Sequence, residues 1–153
     1  MDYQLPCSYS FYEDYCNRKI TAKDGKVIQE YRQVDSLKPN LNVKFLCLNK
    51  ISMLEPRSFT YLKYTNGGEG EHWQVCISKD EFHPPEVKAK LGRMHLVSRI
   101  GESEGGIRVR SYVQVDLNGS MIENMWGKIH LEVGRYVEEM WREVSENYQE
   151  ELV

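Results

Sequence analysis

The sequence predicts an α+β domain in which a curved antiparallel β-sheet packs against one long C-terminal α-helix. Three observations carry this expectation. Short β-rich runs follow one another from residue 27 to 116, each bounded by turn residues. Two glycine-rich segments, Thr65–Gly70 (TNGGEG) and Gly101–Gly106, supply the positive-φ residues that tight reversals need. Beyond Ser120 the apolar period lengthens from two residues to three or four.

Taken in order, residues 1–26 carry little periodicity. They are Tyr-rich, with Ser10–Asn17 compatible with a helix and Ala22–Gly25 (AKDG) reading as a turn. The strands then expected are Val27–Val34, Asn42–Lys50, Ser58–Tyr64, Glu71–Ser78, Gly92–Ile100 and Ile107–Asp116, a six-strand meander. From Met121 through Met125, Ile129, Val133, Val137, Met140 and Val144 the apolar residues line one stripe among Glu, Lys and Arg. That stripe describes an amphipathic helix over residues 119–150, capped by Asn118 or Ser120, and the sheet is the only partner on which it can be buried.

A chain of 153 residues, 41% hydrophobic and 11% aromatic, is expected to be one folded domain spanning 1–153. Its net charge of -3 and isoelectric point near 5.8 provide no positive field to gather phosphates, so nucleic acid is not an expected partner. Cys7, Cys16, Cys47 and Cys76 are too far apart in sequence to suggest a zinc grip, and His72, His83, His95 and His130 show no ligand spacing. No metal or cofactor is expected. Free thiols within apolar runs suit a reducing, cytoplasmic compartment. The first residues lack a secretory pattern, and no window approaches the roughly 18 apolar residues of a membrane span. Asn118-Gly119-Ser120 matches a glycosylation sequon but reads as a turn and helix cap in such a chain.

Strand alternation sorts the side chains by face. Phe59, Tyr61 and Lys63 share a face, as do Trp73, Val75 and Ile77, then Met94, Leu96, Ser98 and Ile100, then Val109, Ser111, Val113 and Val115. In the last strand the opposite face is Arg108, Arg110, Tyr112, Gln114 and Asp116, so each apolar set is expected to face inward. Such a surface serves equally as a ligand wall or as an ordinary packed core.

Three segments resemble the START lipid-transfer domains, named for the steroidogenic acute regulatory protein. Glu55-Pro56-Arg57-Ser58-Phe59 is similar to that family's PRDF strand start, Gly92-Arg93 to its VR start, and Tyr112–Gly119 (YVQVDLNG) to its VQVDPKG strand and turn. The similarity runs from about Val27 to Val144. Ser58 and Leu117 depart from the pattern, and the family is about a third longer at its N-terminus, where a helix and three strands come first. The resemblance implies a helix-grip, START/Bet v 1-like fold that binds a lipid or sterol, with transfer of that ligand as a further expectation, and performs no chemistry. It implies a cavity wall of Lys44, Leu46, Phe59, Tyr61, Lys63, Trp73, Val75, Met94, Leu96, Ser111 and Val113, with Met125, Trp126, Ile129 and Val133 from the helix. It further implies transient membrane contact. The short N-terminus would leave a sheet edge uncovered, a route to a homodimer.

In sterol-binding members an acidic and a basic residue face each other where this chain carries Lys44 and Lys63. Two buried like charges cost several kcal/mol unless paired. Two other functions fit the same architecture: a cyclase or hydrolase acting on a hydrophobic substrate, and a filled domain that binds proteins. The enzyme would need an acid or base facing inward; Lys44, Lys63, Ser98 and Ser111 form no such constellation in sequence.

Overall fold

The computed structural model describes residues 1–21, 28–50, 55–118, 135, 138–139 and 142–148. Among them the order is β1 (Asp2–Leu5), α1 (Tyr9–Thr21), β2 (Ile28–Lys38), β3 (Leu41–Leu48), β4 (Arg57–Gly68), β5 (Glu71–Ser78), a 3-10 turn (Asp80–Phe82), β6 (Lys90–Leu91), β7 (Arg93–Ser103) and β8 (Gly106–Asp116). Residues 142–148 are helical. The strands make one sheet in the spatial order β1-β8-β7-β5-β4-β3-β2, all antiparallel, with the two-residue β6 lying parallel beside β4. The α+β expectation holds, and each strand of the expected meander is present.

At the N-terminus the helix expected at Ser10–Asn17 is present within α1, and Asp2–Leu5 adds a strand that the sequence reading did not expect. Residues 1–21 are a strand and a helix that close one end of the sheet. Ser8 starts the helix: its hydroxyl accepts from the Phe11 amide at 3.3 Å and its carbonyl from the Tyr12 amide at 3.1 Å. Phe11 and Tyr15, four residues apart, then project onto the sheet. They are buried with Leu5, Cys7, Ile100, Ile107, Val109 and Val144, so α1, β1, the β7–β8 end and the helical segment 142–148 share one cluster. The Tyr15 hydroxyl donates to Glu143 at 2.5 Å and Phe11 meets Tyr148 edge-on at 5.1 Å. The face of the sheet carrying this cluster is the inner face.

β1 can dock only because residue 106 is glycine. At Gly106 (φ +154°) an added Cβ would lie 2.1 Å from the Leu5 carbonyl oxygen and 3.0 Å from the Cys7 amide. Gly106→Ala is expected to cost about 1–3 kcal/mol. The change is expected to concentrate in β1, so amide exchange at Tyr3 and Leu5 should quicken more than at Val97.

At the far side β4 is buried on both faces from Arg57 to Tyr61. The segment 79–91 straps its outer face: Lys79 donates to the Thr60 carbonyl at 2.8 Å, Gly92 to that of Ser58 at 2.8 Å, and Thr60 bonds His83 at 3.0 Å. The edge strand β2 shows three register shifts against β3. Such irregularity bends an edge away from the flat template that strand addition requires, which weighs against dimerisation through β2.

Candidate functional site

Register assigns each side chain to a face, because directly opposed residues point the same way. Across the inner face run four successive rows. The first is Tyr31, Leu46 and Phe59. The second is Gln33, Lys44, Tyr61, Ser78, Met94 and Val115. The third is Asn42, Lys63, Cys76, Leu96 and Val113, and the fourth Thr65, Gln74, Ser98 and Ser111. Beyond them His72, Ile100, Val109 and Tyr3 lead into the α1 cluster.

Lys44, Leu46, Phe59, Tyr61, Lys63, Met94, Leu96, Ser111 and Val113 therefore all lie on the inner face, as expected. Trp73 and Val75 do not. Val75 opposes Tyr64 and Val97, and Trp73 opposes Asn66 and Arg99, on the outer face. The reason is the β4–β5 hairpin. Pairing continues to Gly68↔Glu71, leaving only Glu69 and Gly70 (φ +73°) as the turn, and this register turns His72, Gln74 and Cys76 inward. The apolar alternation of β5 thus marks the outer face. Met125, Trp126, Ile129 and Val133 lie outside the described residues, as does most of the helix expected over 119–150.

The inner face is chemically divided. Phe59, Tyr61, Cys76 and Leu117 are buried together, with Leu46, Leu48, Met94, Leu96 and Val115 packed against them but only partly covered. Val113 remains 36% exposed. On the β2–β4 side the same face is polar. Lys44 donates to Gln33 at 2.8 Å and lies 5.8 Å from the Tyr31 ring centre. Burial, more than the neighbouring Lys63 charge, lowers the Lys44 ammonium pKa. Burial also pushes the Cys76 thiol up to about 11, against the pull of Lys63. In the fourth row Ser98 and Ser111 satisfy each other at 2.7 Å.

Several inward groups escaped the sequence reading: His72, Gln74, Cys76, Tyr3, Tyr12 and Cys16. His72 is stacked on Tyr9, ring centres 3.5 Å apart and ring planes nearly parallel, pinning the start of α1 to the β4–β5 hairpin. The aromatic spacing of Tyr9, Tyr12 and Tyr15 was the available signal for a helix face here. Arg57 donates to three backbone carbonyls, at Leu117 (2.6 Å), Glu55 (2.8 Å) and Pro56 (3.5 Å). Arg93 pairs with a carboxylate, Asp80, at 2.6 Å.

The outer face carries an apolar row of its own, Tyr64, Val75, Val97 and Tyr112, directly opposed across β4, β5, β7 and β8. A wide-mouthed depression of about 340 Å³ lies there between Trp73, Val97, Arg99, Arg110 and Tyr112. Its guanidinium groups already engage carboxylates, Arg99 with Glu71 at 2.7 Å and Arg110 with Asp2 at 3.5 Å. The inner face is the better candidate, because it unites half-covered apolar side chains with a lysine, Lys63, that has no partner among the described residues.

A helix following the first strand and a helical C-terminal segment, both packed on one face of an antiparallel meander, define the helix-grip class. Solved structures place the chain more narrowly. Human StAR-related lipid transfer protein 5 superposes with a TM-score of 0.79 at 12% identity, over 97% of this chain and 74% of that one. Human STARD10 superposes with a TM-score of 0.78 at 15% identity, over 97% and 63%. A STAR-related lipid transfer protein fragment from Xanthomonas axonopodis gives 0.73 at 9% identity, over 94% and 82%. The chain has the fold of the StAR-related lipid transfer domains. No family model and no curated protein matches its sequence.

Proposed function

We propose that this domain binds one hydrophobic or amphiphilic molecule, a lipid or sterol, against the inner face of its sheet, and that it carries the ligand without transforming it. One observation bears most of the weight. Leu46, Met94, Leu96, Val113 and Val115 form an apolar surface on the inner face that is only partly covered, beside a fully packed cluster that already supplies a core. Half-covered apolar area of this kind suits a small-molecule wall, and fold likeness to proteins named for lipid transfer supports the reading.

The enzymatic alternative needs a nucleophile or base with a partner. The Ser98 and Ser111 hydroxyls bond only each other among the described residues, and no cluster of His, Cys, Asp or Glu suited to a metal occurs among those residues. No described helix is long and apolar enough to cross a membrane. Loading would therefore involve transient contact with a bilayer, and the four free cysteines suit a reducing, cytoplasmic setting.

The test is to incubate purified protein with vesicles of phosphatidylcholine and cholesterol, re-isolate it and record native mass spectra. The expected spectrum shows one added lipid mass. Leu96→Glu places a charge on the wall and is expected to abolish the adduct while circular dichroism and unfolding midpoint stay near wild type. Only ligand-free wild-type protein after vesicle exposure would sink the proposal.

A further inference from the structure

The lysines on the inner face extend this reading to the kind of ligand. Lys44 opposes Tyr61, and Lys63 opposes Asn42 and Cys76, so the two lysines are diagonal neighbours on adjacent strands. Such diagonal pairs have Cβ atoms about 7–8 Å apart. Both are partly buried. The inward positions of β3, β4 and β5 include no aspartate or glutamate, whereas Arg57, Lys44 and Lys63 all lie there. The carboxylates of β2 do not help. Glu30 opposes Cys47 and Asp35 opposes Val43, both on the outer face.

Arg57 is satisfied by carbonyls and Lys44 by the Gln33 side chain and the Tyr31 ring. Lys63 differs: among the described residues none forms an ion pair or hydrogen bond with it. Its titratable neighbours do not compensate it either. Cys16 from α1 and Cys76 from β5 both feel the Lys63 charge, and burial holds each thiol protonated at neutral pH. A cation held in partly apolar surroundings without a counter-charge is costly, and a ligand anion would remove that cost.

We propose that the ligand is an amphiphile bearing a single negative charge, with its acidic group at Lys63 beside Lys44 and its apolar body lying across β5, β7 and β8. The rows support that pose. From Lys63 the third row continues through Cys76, Leu96 and Val113, three strand spacings or roughly 14 Å of increasingly apolar surface. One anion matches Lys63, the one inward-facing lysine without a partner among the described residues. A fatty carboxylate is such a monoanion at neutral pH. Lysine also suits it, being a compact point charge that imposes no two-pronged geometry.

This inference rests on the proposed function, and the experiment separates the two. Titration calorimetry compares oleate with oleyl alcohol, which share a chain and differ in headgroup charge, both below their aggregation concentrations at neutral pH. Wild-type protein is expected to bind oleate at least tenfold more tightly than the alcohol. Lys63→Gln is expected to close that gap and Lys63→Arg to preserve it. Equal affinities in the wild type, or a gap unchanged by Lys63→Gln, would overturn the anionic ligand while leaving lipid binding in place. Binding of neither molecule would likewise overturn the anionic ligand, and the vesicle experiment then decides lipid binding on its own.

Discussion

Phe45→Ala is expected to destabilise the domain by about 3–5 kcal/mol, the range for deleting a fully buried aromatic ring. Phe45 is 0% exposed, yet it does not belong to the inner face. It opposes Thr60 on β4 and Arg32 on β2, pointing outward beneath the 79–91 strap. His83 lies over it with ring centres 6.0 Å apart, and the Arg32 guanidinium lies 5.3 Å from the ring centre. Arg32 in turn pairs with Glu86 of the strap at 3.2 Å. Removal of the ring leaves a void on its apolar side and loosens the contact that seats His83 against Thr60. Denaturant unfolding is the measurement, and a lower midpoint with an unchanged slope is the expected form. A loss below about 1 kcal/mol would show that the strap collapses onto the alanine, contrary to close packing at this site.

Arg57→Met is expected to cost about 2–4 kcal/mol, because methionine fills similar space but donates nothing. The three carbonyls that Arg57 serves are not equal in consequence. Pro56 keeps the Lys90 amide as a second donor at 3.2 Å, and Glu55 is exposed, so water can replace the guanidinium there. Leu117 is 9% exposed, and its 2.6 Å bond joins the end of β8 to the start of β4. The loss should therefore concentrate at that junction. Hydrogen exchange near residues 115–118 is expected to rise more than in β1. Arg57→Lys is expected to recover only part of the loss, since one ammonium cannot span the carbonyls that the guanidinium fork reaches.

Much of the architecture was legible because it depends on local rules. Turn residues bounded the strands, alternation within β4, β7 and β8 grouped Phe59, Tyr61, Lys63, Met94, Leu96, Ser111 and Val113, and the START resemblance added Lys44 and Leu46; all of them share the inner face. In β5 the same rule misled. Each strand was sorted alone, and Trp73, Val75 and Ile77 were the bulkier set. Only the hairpin register, decided by a two-residue turn at Glu69 and Gly70, shows that they face outward. Residues 1–21 were obscure for a different reason. The first strand has four residues and its partner β8 lies about a hundred positions away, so no local window contains the pairing that defines it.

Arg57 shows the same division. Its acceptors are backbone carbonyls, which carry no residue-type signal in sequence. The sequence by itself determined the class of fold, the alternating faces within each strand and the unusual presence of two lysines among apolar neighbours. The tertiary structure decided which alternating set faces inward in β5, that the N-terminus closes the sheet, and that Lys44 finds Gln33 while Lys63 finds no described partner. Periodicity is a property of a few consecutive residues, whereas register, closure and charge pairing depend on residues brought together from distant parts of the chain.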